Sequence, residues 1–347
     1  MLYPVLIIIL FLFCDISQAE NGTAKTTKGK HTIIFFLDND LFGGTDQYYT
    51  NGAKLTWLFP DLDDYSDCRF LPGFVKKGAK KLPYGDRQEF KHNISLSIGQ
   101  HMYTPVDIEN KELIKEDRPY AGCTYLSFGL HNKTFYKMNS FILSVGMVGP
   151  SSLADKTQRF VHKVMDKIIP RGWDNQIKDE PFVQLSWEQK WRLFDRTYKY
   201  GFGSDFIPSI NIMAGNAAII GGTSGELRFG YNLPGNFGTS LNRPASGVSE
   251  QAESNNVSKS FLSDFRLYCS LGLGVNGVGR QIFLDGNSFK ESHSVKKIPV
   301  VGEAGIGFTI FYKNLRATYS HIYRTQEFDK QQDKSQTYGA VNFGFSF

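Results

Sequence analysis

The chain has 347 residues, a formal charge of +5 and no long Lys/Arg run, which argues against a nucleic-acid partner. Aromatic residues make up 14% of it and glycine accounts for 34 positions, a mixture that favours β structure over helix bundles. Beyond the first residues no run of about 18 apolar residues occurs. A helical membrane protein is therefore excluded; a β-barrel, whose lipid face takes every second residue, is not.

The chain begins with an apolar run, Val5 to Cys14, followed by Ser17-Gln18-Ala19. The run is too short to span a membrane, and the small residues at 17 and 19 predict a secretory signal over 1–19, with the mature domain over 20–347. No Lys or Arg precedes the run, which is unusual for such a segment. Cys68, Cys123 and Cys269 then remain, an odd and widely spaced set that reads as packing residues rather than a disulfide framework or zinc site.

Ile33 to Trp57 reads as two strands around a Gly-rich turn. The first ends on Asp38-Asn39-Asp40 and the second opens on Tyr49-Thr50-Asn51-Gly52, so carboxylate and carboxamide oxygens converge at one hairpin end. Such donors suit a hard cation such as calcium, although Asn, Asp and Gly are also ordinary turn residues. Alternating apolar and small polar residues recur near 31–39, 49–59, 91–103, 119–131, 135–148, 181–194, 197–213, 216–232, 261–276, 296–311, 313–325 and 336–347. The last of these places Val341, Phe343, Phe345 and Phe347 on one face and Ala340, Asn342, Gly344 and Ser346 on the other. An all-β, twelve-stranded antiparallel transmembrane barrel is expected, with both chain ends on the periplasmic side. A final aromatic in such a strand resembles the assembly signal of outer-membrane barrels, which makes the barrel assembly machinery an expected partner through Phe347.

Counting strand directions brings Asn39, Asp40, Thr50, Gln100, Asp117 and Arg118 to the outward rim. Short inner turns are expected at His131-Asn132-Lys133, Phe194-Asp195-Arg196 and Tyr312-Lys313-Asn314. Residues 60–90 and 238–259 become long inner-side insertions with no evident reason. Ser152 to Ile169 is the one helical stretch, in the third outer loop, with Ser151 or Ser152 as N-cap. Its stripe of Leu153, Phe160, Val161, Val164 and Ile168 must rest on the barrel rim, on lipid, or on both. His162 is its only histidine, and Asp166, four residues on, is placed to hold the imidazole tautomer of a general base. No Gly-x-Ser-x-Gly elbow is present, so a metal with histidine-activated water fits better than a serine nucleophile. Lys111, Lys115, Arg118, Lys156, Arg159, Lys163, Lys167 and Arg171 make this rim basic, which suits lipopolysaccharide phosphates. Alternation leaves a conflict: Thr50 falls on the lumen face and Gln100 on the lipid face, so a shared site requires a bulge.

The ordered set D-N-D-L-F, T-D-Q-Y-Y-T-N-G, I-G-Q-H-M-Y-T-P, E-D-R-P-Y-A-G, T-Q-R-F-V-H-K and G-W-D-N-Q-I-K-D-E-P is similar to the outer-membrane lipid A 3′-O-deacylases. The resemblance runs from Ile33 to Phe347. It implies a site between the barrel wall and an exterior helix, dependence on Ca2+, and hydrolysis of the 3′ acyl ester of lipid A in the outer leaflet. By matched position it implies His162 as catalytic base, Asp40 as the metal-associated aspartate, and Asn39 and Thr50 as their active-site neighbours. Lys111 matches a substrate-contacting lysine; Gln100 and Arg118 are further substrate-binding candidates at the same rim. The family's Glu two turns after the histidine is replaced here by Ile168, with Asp166 or Glu180 as possible substitutes. The alternatives are an outer-membrane phospholipase and a passive pore or structural barrel.

Overall fold

The computed structural model describes residues 29–39, 48–238 and 264–347, with 48–50 as backbone alone. The expected signal segment, Asp40 and nearly all of 238–259 lie outside the described residues. Strands β1 (Thr32–Asn39), β2 (Tyr48–Leu58), β3 (Lys91–Thr104), β4 (Ala121–Lys133), β5 (Lys137–Val148) and β6 (Glu180–Trp191) form one half of a wall. The other half is β7 (Phe194–Thr197), β8 (Phe202–Gly215), β9 (Ala218–Tyr231), β10 (Phe265–Gln281), β11 (Val300–Tyr312), β12 (Leu315–Thr325) and β13 (Ser335–Ser346). Three α-helices are described: α1 (Gly73–Lys81), α2 (Ala154–Val164) and α3 (Ile282–Asp285).

Neighbouring strands pair antiparallel, β1 pairs with β13, and β6 pairs with β8, so the sheet closes on itself. The short β7 pairs with β8 beyond the stretch that β6 uses, with Lys190 opposite Ser209 and Phe194 opposite Phe206. These two strands share one wall position, which leaves the expected twelve-position barrel. Phe194-Asp195-Arg196 is therefore strand, not the expected turn. The chain reverses at Tyr198–Gly201 instead, where Tyr200 and Gly201 both take positive φ. Similarly, His131-Asn132-Lys133 completes β4 and the turn follows it, whereas the Tyr312–Leu315 turn lies where expected. No helix among the described residues is long and apolar enough to cross a membrane.

The alternation sorts the two faces as read from the sequence. Phe35, Leu55, Leu126, Leu143, Val183, Leu185, Leu271, Ile306, Phe343 and Phe345 point outward and are exposed, which suits a lipid-facing belt. Inward, hydroxyls pair across strands: Ser127 with Ser144 at 2.7 Å, Ser209 with Ser224 at 2.7 Å, and Thr309 with Thr318 at 3.0 Å. Charged groups fill the interior at two levels. Toward the inner end, Asp205 meets Arg228 at 2.5 Å and Arg192 at 3.2 Å. Toward the outer end, Glu327 lies between Arg118 at 3.3 Å and Arg324 at 3.4 Å, and Arg324 also meets Glu303 at 2.5 Å. Burial pushes the Glu327 carboxyl up, but Arg324 and Arg118 outweigh it and hold it below its ordinary range. A water-filled pore would leave such a lining accessible; here Arg118, Arg228, Asp205 and Glu327 are all buried.

Two inner-side segments among the described residues pack against the barrel. Residues 232–238 turn back into the barrel, where Phe237 clusters with Met138 and Ile207. Residues 59–90 fold instead onto the outside of the wall. Phe59, Tyr65, Cys68, Leu71 and Ala79 pack against Ile94 of β3 and Leu130 of β4. The Tyr65 hydroxyl donates to the Asn132 side chain at 2.8 Å. At the outer end α3 closes over the mouth, and Phe283 stacks on Tyr103 with ring centroids 4.4 Å apart.

Candidate active site on the outward wall

The outer ends of β3 and β4 carry a docking platform for α2. Gly122 lies against the start of the helix so closely that a Cβ there would sit 2.2 Å from the Ala154 Cβ. Beside it, Gln100 Nε2 donates to the Ser152 carbonyl at 2.8 Å, and Thr124 Oγ1 donates to the same oxygen at 2.7 Å. Both side chains project from the outward face of the wall, so the helix sits outside the barrel. Gln100, expected to bind substrate, is thus engaged in holding the helix start. Ser151 and Ser152 do not cap the helix as expected. Leu153, with φ of 60°, is the N-cap, and the Ser152 hydroxyl donates to the Gly149 carbonyl at 2.6 Å.

The buried edge of α2 is Ala154, Gln158 and His162, spaced four apart. Its apolar side faces away from the protein, with Phe160 67% and Val164 70% exposed. Such an exposed apolar face suits contact with acyl chains. The helix stops earlier than expected. Asp166 takes a left-handed φ of 51°, and the Lys167 N–H returns to the His162 carbonyl at 2.8 Å. This reversal brings the Ile168 carbonyl to the His162 ring, where Nδ1 lies 2.6 Å from it. A carbonyl oxygen only accepts, so Nδ1 carries a proton.

That arrangement corrects two expectations. Asp166 is exposed, and it is the Ile168 carbonyl that engages the imidazole. Glu180 is buried elsewhere, accepting from the Ser288 and Phe289 N–H groups at 2.7 and 3.3 Å, and so fastens an outer loop. Arg118, expected to contact substrate, is wholly buried in the interior beneath the Tyr103 ring, 4.7 Å from its centroid, and its charge is engaged by Glu327. Rim position alone did not say which side of the wall its side chain takes.

Asn39 ends β1 at the same rim as α2. It pairs with Asn51 of β2, which pairs with Met102 of β3. Met102 in turn clusters with Ala154 and Trp173. The Trp173 indole N–H donates to Gln158 Oε1 at 2.7 Å, one helical turn before His162. Asn39 and His162 therefore belong to one continuous outward surface. The bulge that a shared site required is present: Tyr49 is opposite Tyr103 and Asn51 opposite Met102, leaving Thr50 as the extra residue. Lys111 is exposed on the loop between β3 and β4, and its carbonyl accepts from Asn175 at 2.7 Å. The Arg171 N–H to Ile108 carbonyl bond, 2.8 Å, ties the same loop to the segment after α2. Tyr120 donates to the Ile108 carbonyl at 3.2 Å, and burial pushes its phenol up to about 12.

Gln158 was not foreseen. It is buried, and its Nε2 has no hydrogen-bond partner among the described residues, a spare donor next to the imidazole. The helical spacing of Gln158 and His162 was available in the sequence, but the apolar side of the helix drew attention to the opposite face. Among the described residues no group of three His, Cys, Asp or Glu side chains could hold a metal. The donors at this rim are instead carboxamide oxygens from Asn39 and Asn51, of a chemistry that suits calcium, with Asp40 next in sequence to Asn39.

A closed lipid-facing barrel with a buried histidine, its Nδ1 held by a main-chain carbonyl, on the outward wall defines an outer-membrane barrel protein with a candidate site at the lipid boundary. The family model for outer membrane protein LpxR matches residues 6–347. The chain belongs to that family, the outer-membrane lipid A 3′-O-deacylases, which makes it an outer-membrane lipid A deacylase, a hydrolase acting on an ester. Among solved structures it is similar to LpxR from Salmonella typhimurium, with TM-score 0.70, 16% identity, and coverage of 91% of this chain and 100% of that one. It is less similar to the β domain of the Bordetella autotransporter BrkA, with TM-score 0.42, 8% identity and coverage of 92% and 99%. The COG4313 outer membrane channel from Pseudomonas putida F1 gives TM-score 0.42, 8% identity and coverage of 95% and 99%. No curated protein matches the chain by sequence.

Proposed function

We propose that this chain removes the 3′-linked acyl or acyloxyacyl group of lipid A in the outer leaflet, in a calcium-dependent hydrolysis with His162 as general base. The observation that carries this reading is the His162 ring itself. It is 6% exposed, packed toward the wall, and its Nδ1–H is engaged by the Ile168 carbonyl at 2.6 Å. Nε2 is thereby fixed as the basic nitrogen.

His162 Nε2 takes a proton from water as the water oxygen bonds to the ester carbonyl carbon. Collapse breaks the bond to the sugar oxygen, which leaves with the proton returned from the imidazolium. Asp40 and Asn39 would hold calcium beside Thr50. The chemistry calcium supplies there is polarisation of the ester carbonyl and stabilisation of the oxyanion. The spare Gln158 Nε2 donor positions substrate or water near the imidazole. Lys111, exposed at the rim, pairs with glycolipid phosphate. The outward face of α2, Phe160 and Val164 in particular, lies along the acyl chains. A backbone carbonyl orients the imidazole, so the absence of the family Glu at position 168 does not remove its support. The strand ending at Phe347 supports recognition by the barrel assembly machinery.

The test is lipid A mass spectrometry on membranes of cells expressing the chain, with and without a calcium chelator. Loss of a 3′ acyl or acyloxyacyl group that chelator blocks and added calcium restores is the expected result. Unaltered lipid A alongside lysophospholipid, or deacylation indifferent to chelator, would overturn it.

A further inference from the structure

At the inner end of the same wall, helix α1 presents a face that no other described residue covers. Val75, Ala79 and Leu82 pack onto the wall with Tyr65, Leu71, Ile94 and Leu130. The helical period then places Phe74, Lys77, Gly78 and Lys81 together on the outward flank. Phe74 is 77% exposed and Phe70, in the preceding turn, 49%. Phe70 packs on Phe59 with ring centroids 4.6 Å apart, and Phe59 stacks on Trp57 of β2 at 5.5 Å. The exposed aromatics thus continue the aromatic girdle at the inner rim of the lipid-facing belt.

Four of the six acidic groups of this insertion are engaged elsewhere; Asp86 and Glu89 follow the helix. Asp61 meets Lys133 at 2.9 Å, Asp64 meets Lys80 at 2.8 Å, and Asp63 pairs with Lys91. Asp67 closes a capping box with Asp64, and Lys76 is turned back onto the Ser66 carbonyl at 3.0 Å. Among the described residues no acidic side chain pairs with Lys77 or Lys81. An exposed aromatic beside two ammonium groups in no described ion pair, on a helix lying against the lipid-facing wall, has the chemistry of an interfacial foot.

We propose that α1 binds anionic glycerophospholipid of the inner leaflet, with Phe74 and Phe70 among the upper acyl carbons and Lys77 and Lys81 on the headgroup phosphate. The occupant is lipid rather than soluble phosphate because the apolar half of the face, Phe74 and Phe70, has no use in binding a free anion. The site is remote from His162 and does not depend on the deacylase reading.

Native mass spectrometry of the detergent-purified full chain tests this. The chain is mixed with equal amounts of phosphatidylglycerol and phosphatidylcholine, and the lipids retained are counted. Wild type is expected to retain phosphatidylglycerol in several-fold excess. Lys77→Gln with Lys81→Gln should abolish that excess, and Phe74→Ser should lower it, while all variants keep the heat-modifiable mobility of a folded barrel. Inorganic phosphate should not displace the lipid. Equal retention of the two lipids by wild type, an undiminished excess in the folded double variant, or displacement by phosphate would overturn the proposal.

Discussion

Two short helices lie on the outside of the same two strands, and they are docked by opposite faces. At the inner end α1 buries Val75 and Ala79 and leaves an aromatic and two lysines exposed. At the outer end α2 buries Ala154, Gln158 and His162 and turns Phe160 and Val164 away from the protein. Burying an apolar face stabilises by roughly 25 cal/mol per Å². Burying an imidazole and a carboxamide gives no such return unless their polar atoms are bonded. The first helix is held by ordinary packing. The second is held by Gly122, Gln100 and Thr124 so that two polar side chains are kept out of bulk water at the lipid boundary.

If that contrast is right, damage to the two docking surfaces has different consequences. Gly122→Leu removes the close approach of Ala154 and displaces α2. Deacylation should fall about 100-fold, as expected for a misplaced catalytic group, while the barrel still assembles. Lipid A mass spectrometry beside heat-modifiability on a gel checks this; full activity would mean that the docking of α2 is not needed.

Gln158→Leu is a finer cut. It leaves the Trp173 indole N–H without its acceptor and removes the spare donor beside His162. A loss of about 1–2 kcal/mol is expected, close to a tenfold drop in rate. The rate measured on purified lipid A checks it. Ala79→Leu overpacks the foot of α1 against the wall. It should lower stability by about 1–3 kcal/mol, read as a lower thermal midpoint, with the outer-end deacylation unchanged. Equal damage to activity there would show that the two ends are not separable.

The smallest effect belongs to Ile168→Ala. The group that meets His162 from this position is the main-chain carbonyl. Activity should remain within about twofold, the scale of a surface change below 0.5 kcal/mol. A large loss would assign the side chain a role that the backbone geometry does not give it.

Much of the barrel was legible because alternation has a period of two and the lipid face reports it directly; the tail from Gly339 to Phe347 is the plainest case. The β7 correction came from a break in one strand that preserves the alternation on either side. The site was legible in part. His162 and Asn39 could be placed on one rim by counting strand directions, and the need for a bulge in one of two strands followed from facing alone, though not that it falls at Thr50. Arg118 was misassigned because direction along a strand fixes the rim but not the side of the wall. The partner of His162 was missed because it is a carbonyl delivered by a left-handed Asp166, and an aspartate at a helix end is a weak stop signal compared with glycine. The length of the 59–90 insertion gave no sign that it folds back over Ile94 and Leu130.

The central claim is that a histidine held outside the barrel takes the proton in lipid A deacylation. The most direct measurement compares lipid A mass spectra from cells expressing wild type and His162→Ala at equal levels of folded barrel. The account predicts 3′-deacylated lipid A with wild type and a reduction of about 10²- to 10⁴-fold with the variant. Deacylation by the variant at the wild-type level would contradict it.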